Sequence, residues 1–193
     1  SSIEGIDKLL LPGNGQAELV GGKECVIRKR PDGKVSFLLD FGRELQGGIQ
    51  IVTGQSSRKE AKVRIRFGES VSEAMCDITP ENGATNDHAI RDFHFTLPWL
   101  GVAEIGNSGF RFVRIDVEEP DIDLLLKEVR ATFGYRDIPY LGSFKSDNDR
   151  LNDIWMTGAY TVHLNMQEYI WDGVKRDRLV WIGDLHPELM TVN

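Results

Sequence analysis

The segment AKVRIRF, residues 61–67, alternates apolar and basic side chains without interruption. A period of two is the spacing of a β-strand, because successive side chains of a strand point to opposite faces of the sheet. We therefore predict a half-buried strand here. Val63, Ile65 and Phe67 should face a core, and the basic residues between them, Arg66 among them, should face solvent.

Further segments with strand character lie on both sides of residues 61–67, separated by Gly, Pro and Asn. Phe110–Val117 moves its apolar residues from even to odd positions, which indicates a bulge or burial on both faces. Leu124–Phe133 opens with a sequence that also fits a helical turn. Seven short strands favour an antiparallel β-sandwich or jelly roll. The remaining candidates are Cys25–Arg30, Val35–Phe41, Gly48–Thr53 and the strand that places Phe93, Phe95 and Leu97 on one face.

Two segments interrupt this pattern. Residues 1–17 end in Pro12-Gly13-Asn14-Gly15, which predicts a turn or linker, so we place the sandwich domain at residues 18–135. Ser70–His88 is long and irregular and is predicted to be a loop able to reach a neighbouring site.

The character of the sequence changes after Tyr135. All 9 Phe lie at or before Phe144, whereas three of the 4 Trp lie after it. Leu151, Ile154, Trp155, Ala159 and Val162 recur at spacings of three and four, which predicts an amphipathic helix capped by Ser146 or Asp147 and ending near Met166. A second helix is expected to begin at Pro187, since Pro suits the first helical position. Two short helices cannot bury a core of their own, so residues 136–193 are interpreted as the truncated start of a helical domain.

Composition excludes several classes of function. The net charge is −7, and neither part of the chain is basic, which argues against a nucleic-acid partner. No apolar run has the length of a membrane span, and Leu9–Leu11 is too short for the core of a secretory signal. The 2 cysteines, Cys25 and Cys76, are interpreted as buried thiols, although a disulfide remains open. No His, Cys, Asp or Glu cluster has metal-site spacing, and no cofactor is expected.

Residues 171–188 concentrate the chemically competent side chains. Carboxylates, arginines and tryptophans alternate there over a short distance. A sugar site requires these residue types, because carboxylates bond hydroxyls and transfer protons while Trp stacks on the apolar face of a pyranose ring. Composition alone fits equally well a charged loop whose Arg and Asp side chains pair in solvent.

The order of residues in this segment resembles the signature of family 78 α-L-rhamnosidases, Asp-Cys-Pro-x-Arg-Glu-Arg-Leu-Gly-Trp-Thr-Gly-Asp, which enters the active site of an (α/α)6 barrel. Weaker similarities lie upstream, at Leu39–Glu44, Arg66–Glu69, Gly109–Val113 and Ser143–Ile154. The resemblance implies a bacterial glycoside hydrolase with a sandwich followed by the first one or two helices of the barrel. The matching positions in the signature are Asp172, Arg176, Arg178, Leu179, Trp181, Gly183 and Asp184.

The sequence also departs from that signature. Gly173-Val174 replaces Cys-Pro, and Asp177 occupies the position of the family's general-acid Glu. Asp is shorter by one methylene, which draws its carboxyl back by roughly 1.5 Å, and reaction geometry is sensitive to such a displacement. This departure leaves the fold assignment unaffected but weakens the inference that rhamnose is the sugar.

The resemblance implies roles for individual residues. Asp177 would be the general acid of an inverting hydrolysis, and Asp172 and Asp184 would hold ring hydroxyls. Arg176 would orient a carboxylate or hydroxyl, and Trp181 would form an apolar wall. The alternatives are an ion-paired surface position for Asp177, a helix N-cap for Asp184, a salt bridge for Arg176 and a core position for Trp181. The family's general base lies downstream of this sequence, so the 193-residue chain is expected to be inactive alone.

Two rival functions remain. The sandwich is either a carbohydrate-binding module, for which Trp99 is the exposed aromatic candidate, or a scaffold that stabilises the barrel. Exposed apolar helix faces would favour disorder or self-association, so a homo-oligomer stays open. The sequence does not distinguish a periplasmic or extracellular location from a cytoplasmic one.

Overall fold

The structure is a computed structural model that describes residues 1–11, 24–78 and 91–192. The described residues form two compact units, the first ending at Thr132 and the second beginning at Phe133. The predicted turn at residues 12–15 and the part of the predicted loop from residue 79 onward lie outside the described residues.

The first unit is mainly β. Its described residues include seven strands, which form one sheet in the order β1-β2-β7-β3-β6-β4-β5. The elements in chain order are β1 (Ser2–Glu4), a 3₁₀ helix (Ile6–Leu10), β2 (Cys25–Lys29), β3 (Ser36–Thr53), β4 (Glu60–Gly68), α1 (Val71–Met75), β5 (Asp92–Pro98), β6 (Gly101–Val117) and β7 (Ile122–Phe133).

Two long strands organise the sheet. β3 and β6 pair antiparallel along nearly their whole length, from Ser36 opposite Asp116 to Thr53 opposite Gly101. The C-terminal half of β6 also pairs with β4, and β4 pairs with β5. On the other side, β7 lies beside β3 and is followed by β2 and β1. The strands predicted at residues 35–41 and 48–53 are thus two halves of one strand.

Contacts of Phe67 show that the sheet closes on itself. Phe67 of β4 is paired with Val113 of β6, and Gly106 lies seven residues earlier on that strand. In a straight strand this separation is about 23 Å. A Cβ built on Gly106 would nevertheless lie 2.5 Å from the Phe67 ring, and the rings of Phe67 and Phe110 are 5.0 Å apart at nearly a right angle. β6 therefore curls over the core, and the predicted sandwich is confirmed.

The curl coincides with irregular pairing between β3 and β6. Their register shifts between Asp40 and Leu45, and again between Gly47 and Ile49. Gly42 adopts a φ of 84°, and its N–H donates to Asp40 Oδ1 at 2.8 Å. Arg111, the single β6 residue opposite this bulge, pairs with Asp40 at 2.8 Å, which lowers the Asp40 pKa to about 2 through that hydrogen bond first and the Gly42 N–H second. The bulge lies in β3, opposite the point where the apolar positions of β6 change parity after Phe110.

Two predictions for this unit were wrong. Arg66 is buried, with 3% of its surface exposed, because it pairs with Asp77 and Asp116 at 2.9 Å each. The start of the predicted loop at Ser70–His88 contains α1, since the Ser70 side chain accepts from the Glu73 N–H and caps the helix. The strand predicted at Leu124–Phe133 is confirmed as β7, whose first residues, Ile122 to Leu126, pair with β2 instead of forming a helical turn.

Both cysteines are free thiols. Cys25 lies in β2 and is fully buried, whereas Cys76 follows α1 and is only half-buried. The prediction of a buried thiol is therefore confirmed for Cys25 and wrong for Cys76. Burial raises the pKa of Cys25 to about 11.

The second unit contains two helices, α2 (Asp149–Asn165) and α3 (Ile182–Val192). The N-cap of α2 is Asn148, whose side chain accepts from the Arg150 N–H at 3.0 Å, rather than Ser146 or Asp147. The predicted start of α3 at Pro187 was wrong. The helix already begins at Ile182, and Pro187 lies inside it.

The apolar face predicted for α2 is largely uncovered. Leu151 is 45% exposed and Ile154 58% exposed, and the buried residues of the helix are confined to its C-terminal end. Trp155 is half-buried and stacks on Phe144, with ring centroids 6.5 Å apart. No helix formed by residues 1–11, 24–78 or 91–192 is long and apolar enough to cross a membrane.

Candidate functional site

The segment that carries the predicted site residues is a closed loop between α2 and α3. We call residues 171–181 the motif loop. The N–H of Asp172 donates to the carbonyl of Leu179 at 2.9 Å, and the N–H of Leu179 donates to Asp172 Oδ1 at 2.9 Å. These reciprocal bonds form a clasp that encloses residues 173–178. Asp177, the predicted acid, is thus held within a fixed ring of backbone.

The clasp encloses a strained turn. Asp177 and Arg178 have φ values of 57° and 55°, and the Arg178 N–H donates to the Arg176 carbonyl at 2.7 Å. Side chains in the left-handed region cost about 1–2 kcal/mol per residue. Against this, a neutral hydrogen bond contributes about 1 kcal/mol and one to a charged acceptor about 1.5–3 kcal/mol. The two bonds of the clasp therefore offset the strain of the turn.

Arg178 secures the turn from the opposite side. Its Nε donates to the Val174 carbonyl at 3.1 Å, and its guanidinium lies 5.3 Å from the ring centroid of Trp171, a cation–π contact. Burial lowers the Arg178 pKa, and the charge of Glu168 partly opposes this effect. Trp171 is buried, with 8% of its surface exposed, so its side chain packs in this unit's interior.

The motif loop is fixed to the end of α2 through Asn165. The Asn165 carbonyl accepts the Trp171 N–H at 2.9 Å, and the Asn165 side chain lies close enough to Glu188 of α3 to lower the pKa of that carboxyl group. Asn165 itself is buried. Both helices therefore contribute to the position of the loop.

The structure places Arg176 beside Asp177. Arg176 Nε lies 3.5 Å from Asp177 Oδ1, with 67% of the arginine side chain and 21% of the aspartate side chain exposed. Adjacent side chains usually diverge, but the left-handed backbone at Asp177 brings these two together. Arg178 points away, toward Trp171. The two neighbouring arginines thus have different roles, one next to the candidate acid and one in the framework of the loop.

Asp184 and Glu188 lie one turn apart on α3, a spacing that puts them on the same helix face. Glu188 is buried and Asp184 is exposed. Burial raises the pKa of Glu188, and the negative charges of Asp184 and Asp172 raise it further, while the Asn165 hydrogen bond opposes them. Asp172 and Asp184 are therefore brought toward a common carboxyl group.

Glu188 is the residue whose importance sequence reasoning underestimated. If a helix began at Pro187, Glu188 would be a favourable charge near the helix start, but α3 begins six residues before Glu188, at Ile182. The spacing of four from Asp184 was visible in the sequence and would have indicated their shared face. Asp184, in the first turn of α3, is not its N-cap.

Trp181 lies at the end of the motif loop with 49% of its surface exposed. The alternative of a core tryptophan therefore does not apply, and the indole face is open for an apolar contact. Within the described ranges, no group of three or more His, Cys, Asp or Glu side chains is arranged to hold a metal ion. The chemistry available at the motif loop is that of carboxylates, arginine and an exposed aromatic ring.

The second unit is similar to a known family of domains. Residues 139–193, which contain α2, the motif loop and α3, match the family model described as the bacterial α-L-rhamnosidase six-hairpin glycosidase domain. No curated protein matches the chain. The second unit is thus similar to part of a bacterial α-L-rhamnosidase glycosidase domain.

Solved structures extend the similarity to most of the chain. A rhamnosidase from Klebsiella oxytoca with rhamnose bound superposes with a TM-score of 0.74 at 20% identity, over 85% of this chain and 33% of that one. A GH78 family rhamnosidase of Bacillus sp. GL1 gives a TM-score of 0.72 at 19% identity, over 95% of this chain and 18% of that one. The chain therefore has the fold of a rhamnosidase segment and spans a third or less of these two proteins.

Proposed function

We propose that this chain is the sandwich domain, at residues 18–135, and the first part of the catalytic domain, at residues 136–193, of an inverting glycoside hydrolase that acts on terminal α-L-rhamnosides. The observation that carries the proposal is the clasped motif loop. It fixes Asp177 in a strained conformation, and strained backbone is concentrated at functional sites. The family match over residues 139–193 supports the same conclusion.

In this proposal Asp177 protonates the glycosidic oxygen as the bond from C1 to that oxygen breaks. A second carboxylate accepts a proton from water, whose oxygen attacks C1 from the opposite face of the sugar. The two carboxyl groups of an inverting enzyme stand about 6.5–9.5 Å apart to leave room for the water. We place the second carboxylate in a further part of the protein, and the 193-residue chain is expected to be inactive alone.

The other site residues would bind the sugar ring. Asp172 and Asp184 would accept hydrogen bonds from ring hydroxyls, with Asp172 Oδ1 already engaged by Leu179. Arg176 lies beside Asp177 and would orient its carboxyl group. Trp181 would present its half-exposed ring to the apolar face of rhamnose, the usual contact between an indole and a sugar.

The test uses Asp177→Asn in the full-length protein, because the amide keeps the shape of the carboxyl group but cannot act as the acid. A general acid contributes about 10²–10⁴-fold, so kcat/KM for a methyl or phenyl α-L-rhamnoside should fall by that factor. The loss should be much smaller for a 2,4-dinitrophenyl rhamnoside, whose leaving group needs little protonation.

Asp153→Asn, an exposed residue of α2, is the matched control and should leave both substrates unaffected. Full activity of Asp177→Asn toward the alkyl substrate would exclude Asp177 as the acid. Equal losses for both leaving groups would assign it a binding role instead.

A carbohydrate-binding role for the first unit has one observation in its favour. Trp99 is 39% exposed, and its Nε1 donates to the Ser56 carbonyl at 2.8 Å, which fixes an aromatic surface on the sandwich. Under this alternative, Trp99→Ala would abolish glycan binding by the chain, whereas Asp177→Asn would leave it intact.

A further inference from the structure

We propose that Asp172 is a positioning residue for Asp177: its carboxylate holds the motif loop in the conformation that directs the acid. The inference rests on the proposed function and deepens it, because the resemblance to rhamnosidases assigns Asp172 to the sugar alone. The contact that defines the new role is the bond from the Leu179 N–H to Asp172 Oδ1 at 2.9 Å.

The position of this bond in the chain allows it to restrain the turn that contains Asp177. Leu179 directly follows Asp177 and Arg178, the two residues with left-handed backbone. Its N–H belongs to the peptide group that ends the strained turn, so a restraint on that group is a restraint on the turn. Asp172 acts from before the turn and is five residues away from Asp177 in sequence. A side chain at one end of the loop thus determines the backbone at the other.

A second contact makes the role separable from folding. The N–H of Asp172 donates to the Leu179 carbonyl at 2.9 Å, and this bond belongs to the backbone and survives any change of the side chain. The Arg178 guanidinium also stays on Trp171 and the Val174 carbonyl. Removal of the Asp172 carboxylate should therefore loosen the turn without opening the whole loop.

The positioning role requires an acceptor oxygen at residue 172 and does not require a charge. Asp172→Asn keeps an oxygen at the position of Oδ1, whereas Asp172→Ala removes it. In the full-length protein both variants lose the charge that would bind the sugar, so the difference between them reports the clasp, and Asp172→Asn should keep a higher kcat than Asp172→Ala. Asp172→Ala should lose about 100-fold in kcat, the cost of a misplacement of about 1 Å in a reacting group.

Hydrogen exchange at the Leu179 amide reports the clasp directly and can be measured on the 193-residue chain. Protection of this amide should be retained in Asp172→Asn and lost in Asp172→Ala. Asp172→Ser, with a shorter acceptor, should fall between them and replaces the alanine variant if that protein does not fold. Across the series, kcat should follow the protection of Leu179.

The inference is overturned if Asp172→Asn and Asp172→Ala lose the same kcat, or if the Leu179 amide is equally protected in both. Asp177→Asn in the same assay separates this failure from failure of the proposed function. If Asp177→Asn is inactive and the two variants at residue 172 have equal kcat, the positioning role of Asp172 is rejected and the acid assignment of Asp177 stands. An active Asp177→Asn rejects the acid assignment itself.

Discussion

Closure of the sandwich over Gly106 can be tested by adding a single methyl group. Gly106 has a φ of 90°, and a Cβ at this position would lie 2.5 Å from Cζ of Phe67 and 2.9 Å from Cε2. Phe67 is fully buried and has ring contacts with both Phe93 and Phe110. Because the ring cannot withdraw without disturbing its neighbours, Gly106→Ala should destabilise the first unit strongly.

The magnitude has two parts. A side chain with this φ costs about 1–2 kcal/mol, and one inserted methyl in a packed core costs about 1–3 kcal/mol. The sum for Gly106→Ala is about 2–5 kcal/mol. Gly42 provides the matched control, since its φ is 84° and a Cβ there would meet no atom within 4 Å. Gly42→Ala should cost only the conformational part, about 1–2 kcal/mol.

The assay is native-state hydrogen exchange at amides of β4 and β6, which measures the opening free energy of the first unit alone. Phe67→Leu is added to Gly106→Ala to relieve the contact, and the double variant should be more stable than the sum of the two single changes predicts. If Gly106→Ala is no more destabilising than Gly42→Ala, the two halves of the sheet do not meet at Phe67 and Gly106.

Two further predictions concern ionisable groups. The Glu188 pKa is raised above its ordinary value of 4.5, first by burial and then by the charges of Asp184 and Asp172. Above pH 4.5 the folded chain therefore binds more protons than the unfolded chain. Its free energy of unfolding should fall as the pH rises through the raised pKa. Glu188→Gln should remove that fall and stabilise the second unit at pH 7 in urea unfolding followed by tryptophan fluorescence; a steeper fall would contradict it. Burial raises the pKa of Cys25 to about 11, so Cys25 should resist a disulfide thiol reagent at pH 8 while the half-buried Cys76 reacts. The native chain should then have one modified thiol and the chain in urea two. Two modified thiols in the native chain would contradict burial of Cys25.

The strands were predictable where local pattern and tertiary position agree. The alternation over residues 61–67 placed Val63, Ile65 and Phe67 in the core, and all three are fully buried. The same pattern failed at Arg66, because the carboxylates that allow its burial, Asp77 and Asp116, lie outside the strand, 11 and 50 residues along the chain. Periodicity describes the faces of a strand and contains no information about distant ion partners.

Breaks in a pattern were harder to interpret than the pattern itself. The polar run after Phe41 suggested the end of a strand, yet β3 continues through it as a bulge. Pro187 suggested a helix start, yet the first helical bond of α3 runs from the Leu185 N–H to the Trp181 carbonyl at 2.8 Å. In both places, residues that usually end a strand or begin a helix lie inside the element, because neighbouring structure accommodates them. Sequence rules for element boundaries do not include such neighbours.

The candidate site shows the same division between residue identity and geometry. Order along the chain located Asp172, Asp177 and Asp184, but the conformation of the motif loop depends on a clasp between residues seven apart, Asp172 and Leu179. Left-handed backbone at a non-glycine residue is stable only when such surroundings impose it. No local preference of Asp177 or Arg178 predicts two successive residues of this kind.

The departure at residue 177 and the conformation found there are connected. Asp is among the few residues with a side chain that tolerate the left-handed region, because its short polar group bonds locally. At a φ of 57°, Asp therefore fits the backbone of residue 177 better than Glu does. Its side chain is shorter than that of Glu, but the same turn places Arg176 at 3.5 Å from the Asp177 carboxylate. In the sequence alone, Asp in place of Glu weakened the assignment to rhamnose. In the structure, the clasp fixes the backbone at residue 177, and this backbone determines where the carboxyl group lies.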